Sequence, residues 1–276
     1  MRNIAYLPLL LLAFGSCRDD STTTATEADA TINGDAAADA AIITPADAQR
    51  FARLLAEREE AYPLTCRPED GKLYPADAAP SDTAFFLFRD SLLRIIAERD
   101  IFALLPHVSE NIKASLGEDG GLPGFIRAWG LDQPDKIAQS PLWSELRRVL
   151  ELGGQFIDRP GRLYFSAPYV DACWPAEADP TSYGAVIGAG VRMRADPGLN
   201  TRVIKTISYD LVQYLETTPN YDTVGGERHP WIKVALADGT QGFLYGKFYR
   251  SPLELRAGFE RDENGAWKLV MLLEGD

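Results

Sequence analysis

The chain has 276 residues, 46% apolar and 25% charged, which excludes a disordered or fibrous protein and suffices for one large or two smaller globular domains. Its 28 basic side chains face 40 acidic ones, a net charge of −12. Such an excess repels a phosphate backbone, so no nucleic-acid partner is expected.

Met1-Arg2-Asn3 is a short basic start, and Ile4 to Phe14 is an almost unbroken apolar run. About 20 apolar residues are needed to span a bilayer, whereas about 7 to 15 suit the h-region of an export signal, so residues 1–16 read as a signal peptide. The end of that run, Phe14-Gly15-Ser16-Cys17, resembles the lipobox of bacterial lipoproteins, with Phe14 where Leu is usual. The resemblance implies that Cys17 is acylated, and several acyl chains at about 0.8 kcal/mol per buried CH2 would anchor the mature protein in a bacterial membrane. Residues 17–44 form an acidic tether: Asp19, Asp20, Glu27, Asp29, Asp35 and Asp39 stand against the single base Arg18, with hardly any large apolar group to pack. Acids after the modified cysteine resemble the surface-export signals of some lipoproteins, although Arg18 departs from that pattern. The location expected is therefore the cell envelope, on the periplasmic face or at the cell surface.

An α+β domain is expected over residues 45–180. Thr44 as N-cap, Pro45 at the first helical position and Asp47 three residues on predict a helix through about Glu60, with Phe51, Leu54 and Leu55 as its apolar stripe. Pro63, Pro68, Pro75 and Pro80 then break the pattern, and Cys66 lies among them. After Ser81 and Asp82, the spacing of Phe85, Phe88, Leu92, Ile95 and Ile96 predicts a second helix up to Arg99. Ile112 to Leu116 is strand-like, Gly117 to Gly121 is a turn, and a short helical segment ends near Trp129. Ser140 caps a third helix with Leu142, Leu146, Val149 and Leu150 on one stripe and Gly153-Gly154 as its stop. Gln155 to Ile157 and Leu163 to Phe165 then flank Asp158-Arg159-Pro160-Gly161 as a hairpin.

Beyond Pro180 the pattern changes to short alternating strands: Ala185–Ile187, Val203–Ile207, Leu211–Leu215, Ile232–Leu236 and Gly242–Tyr245. Spacing of this kind marks a small antiparallel barrel, with Asp238-Gly239 as a hairpin turn. Ile232, Val234 and Leu236 share one face of their strand, and Trp231 and Lys233 share the other. Val191-Arg192-Met193-Arg194-Ala195-Asp196-Pro197, Val203-Ile204, Trp231-Ile232-Lys233-Val234 and Asp238-Gly239-Thr240-Gln241-Gly242-Phe243-Leu244 together resemble the bacterial SH3 domain (SH3b, type 3) over residues 183–252. Two departures are Tyr209-Asp210, in place of the family's glycine turn, and an inserted Thr217 to His229 loop. Leu253 to Glu260 and Ala266 to Leu273 form a last hairpin around Asn264-Gly265, and an isolated hairpin needs something to pack on. The phrase Gly258-Phe259-Glu260 to Gly265-Ala266-Trp267-Lys268-Leu269 is similar to the closing strands of NTF2-like α+β domains. On that likeness the barrel is expected as an insertion, with residues 253–276 returning to complete the first domain's sheet.

Chemistry is sparse. The two histidines, His107 and His229, read as a cap and a loop residue, and no metal-ligand spacing or cofactor motif occurs, so neither metal nor cofactor is expected. Cys66 and Cys173 are candidates for one disulfide enclosing about 100 residues, and neither has the context of a catalytic thiol. Asp119, Asp132 and Asp135 are an acid/base or calcium group only if they converge, and a solvated surface is the simpler reading. The SH3b resemblance implies peptidoglycan peptide as a ligand, and an envelope protein is the other partner considered. Trp231, Tyr245, Phe248 and Tyr249 read either as a groove of exposed rings or as ordinary packing against the first domain or the terminal hairpin. The expected function is non-enzymatic binding or scaffolding by a lipid-anchored envelope protein. The alternatives are a membrane-tethered NTF2-like pocket that binds or weakly transforms a small molecule, and a structural subunit of an envelope complex.

Overall fold

The computed structural model describes residues 43–58, 62–114 and 120–275. The signal peptide, Cys17, all but the last two residues of the 17–44 tether, and Gly117 to Asp119 of the glycine turn lie outside the described residues.

Helix α1 (Pro45–Ala56) starts on a reciprocal cap: Thr44 Oγ1 accepts the Asp47 amide at 3.2 Å, and the Asp47 carboxylate accepts the Thr44 amide at 3.1 Å. None of its residues is fully buried, and it is held to the next helix by Phe51, whose ring meets Phe86 edge-on at 5.1 Å, and by an Arg50–Asp90 ion pair. A small hairpin follows, β1 (Pro68–Glu69) and β2 (Lys72–Leu73). Helix α2 (Thr83–Glu98) opens where Asp82 accepts the Phe85 amide at 2.8 Å, and it stops at Arg99 in the left-handed region, φ 55°. Then come α3 (Ile101–Leu104), β3 (Val108–Lys113), α4 (Gly121–Ala128) and α5 (Leu142–Glu151). Strand β3 lies earlier than the expected Ile112–Leu116 because Val108 and Ile112, both buried, are its inward residues. Ser140 Oγ accepts the Leu142 amide at 3.2 Å, and Gly153 ends the helix at φ 71°, where a side chain would meet the Ala76 carbonyl at 2.8 Å.

Strands β4 (Gln155–Arg159) and β5 (Arg162–Ala167) and the short helix α6 (Tyr169–Ala172) lead into seven further strands. These are β6 (Tyr183–Val186), β7 (Val191–Arg194), β8 (Val203–Ile207), β9 (Leu211–Val224), β10 (Glu227–Ala235), β11 (Gln241–Tyr245) and β12 (Tyr249–Arg250). The chain closes with β13 (Arg256–Arg261) and β14 (Trp267–Leu273). The protein is therefore α+β.

One sheet has the order β3-β14-β13-β5-β4. The closing hairpin lies inside it: β13 pairs antiparallel with β5 and β14 pairs parallel with β3. Asp262 holds the hairpin turn, its carboxylate accepting the amides of Asn264 and Ala266, with Gly265 at φ 77°. Helices α2 and α5 pack on this sheet through a ring cluster: Phe85 lies 4.1 Å from Phe165, 4.8 Å from Trp267, 5.5 Å from Phe156 and 5.6 Å from Phe259. Leu92, Leu146 and Leu269 complete this interior.

The other sheet, β12-β6-β9-β10-β11-β7-β8, is antiparallel throughout and curls into a half-barrel around Val186, Met193, Val212, Val234 and Leu244. Gly242 admits Met193 and the Arg194 carbonyl, which a side chain there would meet at 2.8 Å. The expected loop from Thr217 to His229 is instead a β-ribbon. Strands β9 and β10 run on to a two-glycine tip, Gly225 and Gly226, both at positive φ, which is the turn that matches strand twist. Pro219 and the polar run hid the ribbon, because Thr218, Pro219 and Asn220 form an irregularity opposite Trp231. Tyr209, standing where the resemblance expects glycine, adopts φ 60°.

Both sheets belong to one compact unit. Leu73, Tyr169, Val170 and Ala185 form a third core between them. The β1–β2 hairpin crosses over: Leu73 N donates to Tyr209 O at 2.8 Å, Leu211 N donates to Gly71 O at 2.9 Å, and Lys72 pairs with Asp210 at 3.0 Å. Cys66 and Cys173 are joined in a disulfide, linking the proline-rich segment to the end of α6.

Candidate functional site

The structure corrects the expected aromatic groove. Trp231 does point away from Ile232 and Val234, but it is 1% exposed, and its Nε1 donates to Asp222 at 2.8 Å. Tyr245 and Tyr249 are buried too, at 5% and 8%, and only Phe248 is exposed. The cause is the ribbon: its Asp222 covers Trp231, and its Glu227 carbonyl accepts the Tyr245 hydroxyl at 2.6 Å. Trp231 and Tyr245 lie 5.9 Å apart with their ring planes inclined at 58°, as part of the ribbon's base. They are packing residues.

A groove of about 400 Å3 lies on another side, where the half-barrel meets α5. Its walls are the rings of Tyr183, Tyr214 and Tyr249, of which Tyr183 and Tyr214 are more than a third exposed. Tyr249 lies flat on Gly184, where a side chain would meet its ring at 2.4 Å, and its centroid is 6.0 Å from that of Tyr214. Burial, with help from Glu254 and Tyr214, pushes the Tyr249 phenol far up, so this ring stays neutral. Thr181, Thr217 and Ser251 add hydroxyls, with Thr217 Oγ1 at 3.1 Å from the Tyr214 hydroxyl. His229 reaches the groove from β10, its Nε2 3.3 Å from Glu227 and its ring edge-on to Tyr245 at 5.4 Å.

Two charges of opposite sign line the groove, Arg148 from α5 and Glu254 from the loop after β12. Glu254 is committed: Oε1 accepts the Ser251 amide at 3.0 Å, and Oε2 lies 3.2 Å from the buried Arg250. Arg148 has no hydrogen bond or ion pair among the described residues. A set of neutral hydroxyls, flat rings and one unspent guanidinium can orient a polar, extended ligand. Sequence reasoning reached Tyr249 and missed Arg148, Tyr183 and Tyr214, since nothing local marks an arginine on a helix as facing a groove made 35 residues later.

Elsewhere, Asp77 sits 1% exposed beside a cavity of about 220 Å3 between α1, α2 and α5. Arg89 holds both its oxygens at 2.7 Å, and Arg58 adds a contact at 2.9 Å. Burial pushes its carboxyl up, but the two guanidiniums outweigh burial and hold it below the ordinary carboxylate value. His107 packs edge-on to Phe88 at 5.5 Å; burial, then the Lys268 charge, lowers its basicity. Cys66 and Cys173 have spent their thiols on each other. Asp132 and Asp135 are exposed, while Asp119 lies outside the described residues. Among the described residues no three His, Cys, Asp or Glu side chains gather as metal ligands, and no helix is long and apolar enough to cross a membrane.

No protein-family model, curated protein or solved structure matches this chain.

Proposed function

We propose that this chain is a non-enzymatic envelope lipoprotein, held to a bacterial membrane through Cys17, that binds cell-wall peptide in the tyrosine-lined groove. In this reading the half-barrel is an SH3b-like module, and the five-stranded sheet with α2 and α5 is an NTF2-like scaffold that carries it. The observation that carries the proposal is the groove itself. It offers two accessible tyrosine rings, three hydroxyls and an unpaired guanidinium in about 400 Å3, the size and mixture of a small-ligand cleft. The small-molecule alternative is less well supported, because Phe85, Phe156, Phe165, Phe259 and Trp267 occupy the space between the helices and the sheet.

Co-sedimentation of the mature protein with purified peptidoglycan tests the proposal, using Tyr214→Ser as the paired variant because that ring is exposed and its loss spares the core. Retention of the wild-type protein and loss of the variant is the expected result. Retention of neither protein removes the wall-binding function, and equal retention of both removes the groove as its site.

A further inference from the structure

The described arginines that are buried or half-buried are Arg50, Arg58, Arg89, Arg148, Arg194, Arg250, Arg256 and Arg261. Seven of the eight have a polar partner: Asp90 for Arg50, Asp77 for Arg58 and Arg89, the Thr201 carbonyl for Arg194, Glu254 for Arg250, Asp171 for Arg256 and Asp82 for Arg261. Arg148 is the exception among the described residues, and it is the one that lines the groove. A guanidinium taken partly out of water without a partner gives up hydration and gains nothing in the free protein. Its neighbour Arg147 shows what a surface position offers, pairing with Glu151 at 2.7 Å one turn further along the same helix. Burial lowers the basicity of Arg250, the Glu254 carboxylate opposes that, and the like charge of Arg148 adds to it.

From these contacts we infer that Arg148 receives a free carboxylate of the bound wall peptide. The site is then composite: the half-barrel supplies tyrosine walls and hydroxyls, and the helix of the neighbouring sheet supplies the cation. A planar carboxylate matches the guanidinium fork with two parallel hydrogen bonds. A doubly charged phosphate fits less well, because the Glu254 carboxylate stands on the same groove. The inference rests on the wall-peptide reading and adds to it the chemical group that is recognised.

The test uses soluble muropeptides from a muramidase digest of peptidoglycan, passed over the immobilised mature protein before and after conversion of their carboxylates to carboxamides. Wild-type protein is expected to retain the untreated digest and to lose about tenfold or more of that affinity toward the amidated one. Arg148→Met is expected to show the same loss on the untreated digest, with Arg148→Lys between the two. The amidated arm needs no variant, so it decides even where Arg148→Met melts early. Equal retention of the amidated and untreated digests by wild-type protein overturns the carboxylate inference and leaves wall binding standing. Retention of neither digest overturns wall binding, and this inference falls with it.

Discussion

Asp77 offers the sharpest test of how the first core is built, because one carboxylate balances two guanidiniums. Asp77→Asn keeps the shape of the side chain and removes its charge, leaving Arg89, whose side chain is 8% exposed, without an anion. Breaking a buried pair from one side costs roughly 3–5 kcal/mol, most of it the penalty of the uncompensated charge. Arg58, at 20% side-chain exposure, keeps part of its hydration, so the lower end of that range is expected. At about 2–4 °C per kcal/mol for a folded body of this size, melting followed by circular dichroism should fall by roughly 6–12 °C at pH 7. The sign of the pH dependence follows from the carboxyl's lowered value. Its contribution is fully present above the ordinary carboxylate pKa of 3.8 and is lost as pH falls through the lower folded value, so the gap between variant and wild type must close in that acid window. In an Arg89→Met background, Asp77→Asn should cost less, since the stranded buried charge is gone. A loss below about 1 kcal/mol at neutral pH, or a gap that stays constant through the acid window, would refute the balance described here.

Two further outcomes follow from the packing. Cys66→Ser with Cys173→Ser opens a closure of 107 residues and should cost about 4.7 kcal/mol in the chain-entropy account, read as a lower urea midpoint with a slope that steepens as the unfolded chain expands; an unmoved midpoint refutes it. Gly258→Ala places a carbon 1.8 Å from the Tyr164 hydroxyl, on a ring that is 2% exposed and covered by the Arg159 guanidinium at 3.5 Å, so about 1–3 kcal/mol should be lost in the same unfolding assay, and a wild-type midpoint would show that the ring is free to move.

Local chemistry was legible where one segment decides its own shape. Thr44 with Asp47, Asp82 before Phe85, and Asp262 with Gly265 each satisfy backbone groups within a few residues, and each can be read from spacing. The alternation around Trp231 was read with the right parity, but parity alone left its other face either open or packed, and the structure shows it packed. Burial depends on what arrives from elsewhere, and here Asp222 arrives from a ribbon that Pro219 and a run of polar residues disguised as a loop. The groove was hidden for the same reason. Tyr183 carries a strand signal and Arg148 a helix signal, but only the tertiary fold brings them to one surface. The return of β13 and β14 was suggested by resemblance, while the reason for it is physical: a hairpin with Phe259, Trp267 and Leu269 on one side must cover them, and the rings of Phe85 and Phe165 supply the cover.

The composite groove makes sense only if the two sheets hold still relative to each other, and three features make them do so. The β1–β2 hairpin gives backbone hydrogen bonds to Tyr209 and Leu211, the core of Leu73, Tyr169, Val170 and Ala185 buries apolar surface from both sides, and the disulfide fixes the segment from which that hairpin springs. A cleft between loosely joined bodies must order itself when a ligand enters, and that ordering subtracts from affinity. These cross-links lower the ordering that binding would require, which favours the proposed site built from tyrosines of one sheet and an arginine from a helix on the other. The disulfide is compatible with the envelope location proposed above, since such bonds persist in oxidising compartments. The feature that stiffens the groove is thus available where a lipid-anchored chain would meet the wall.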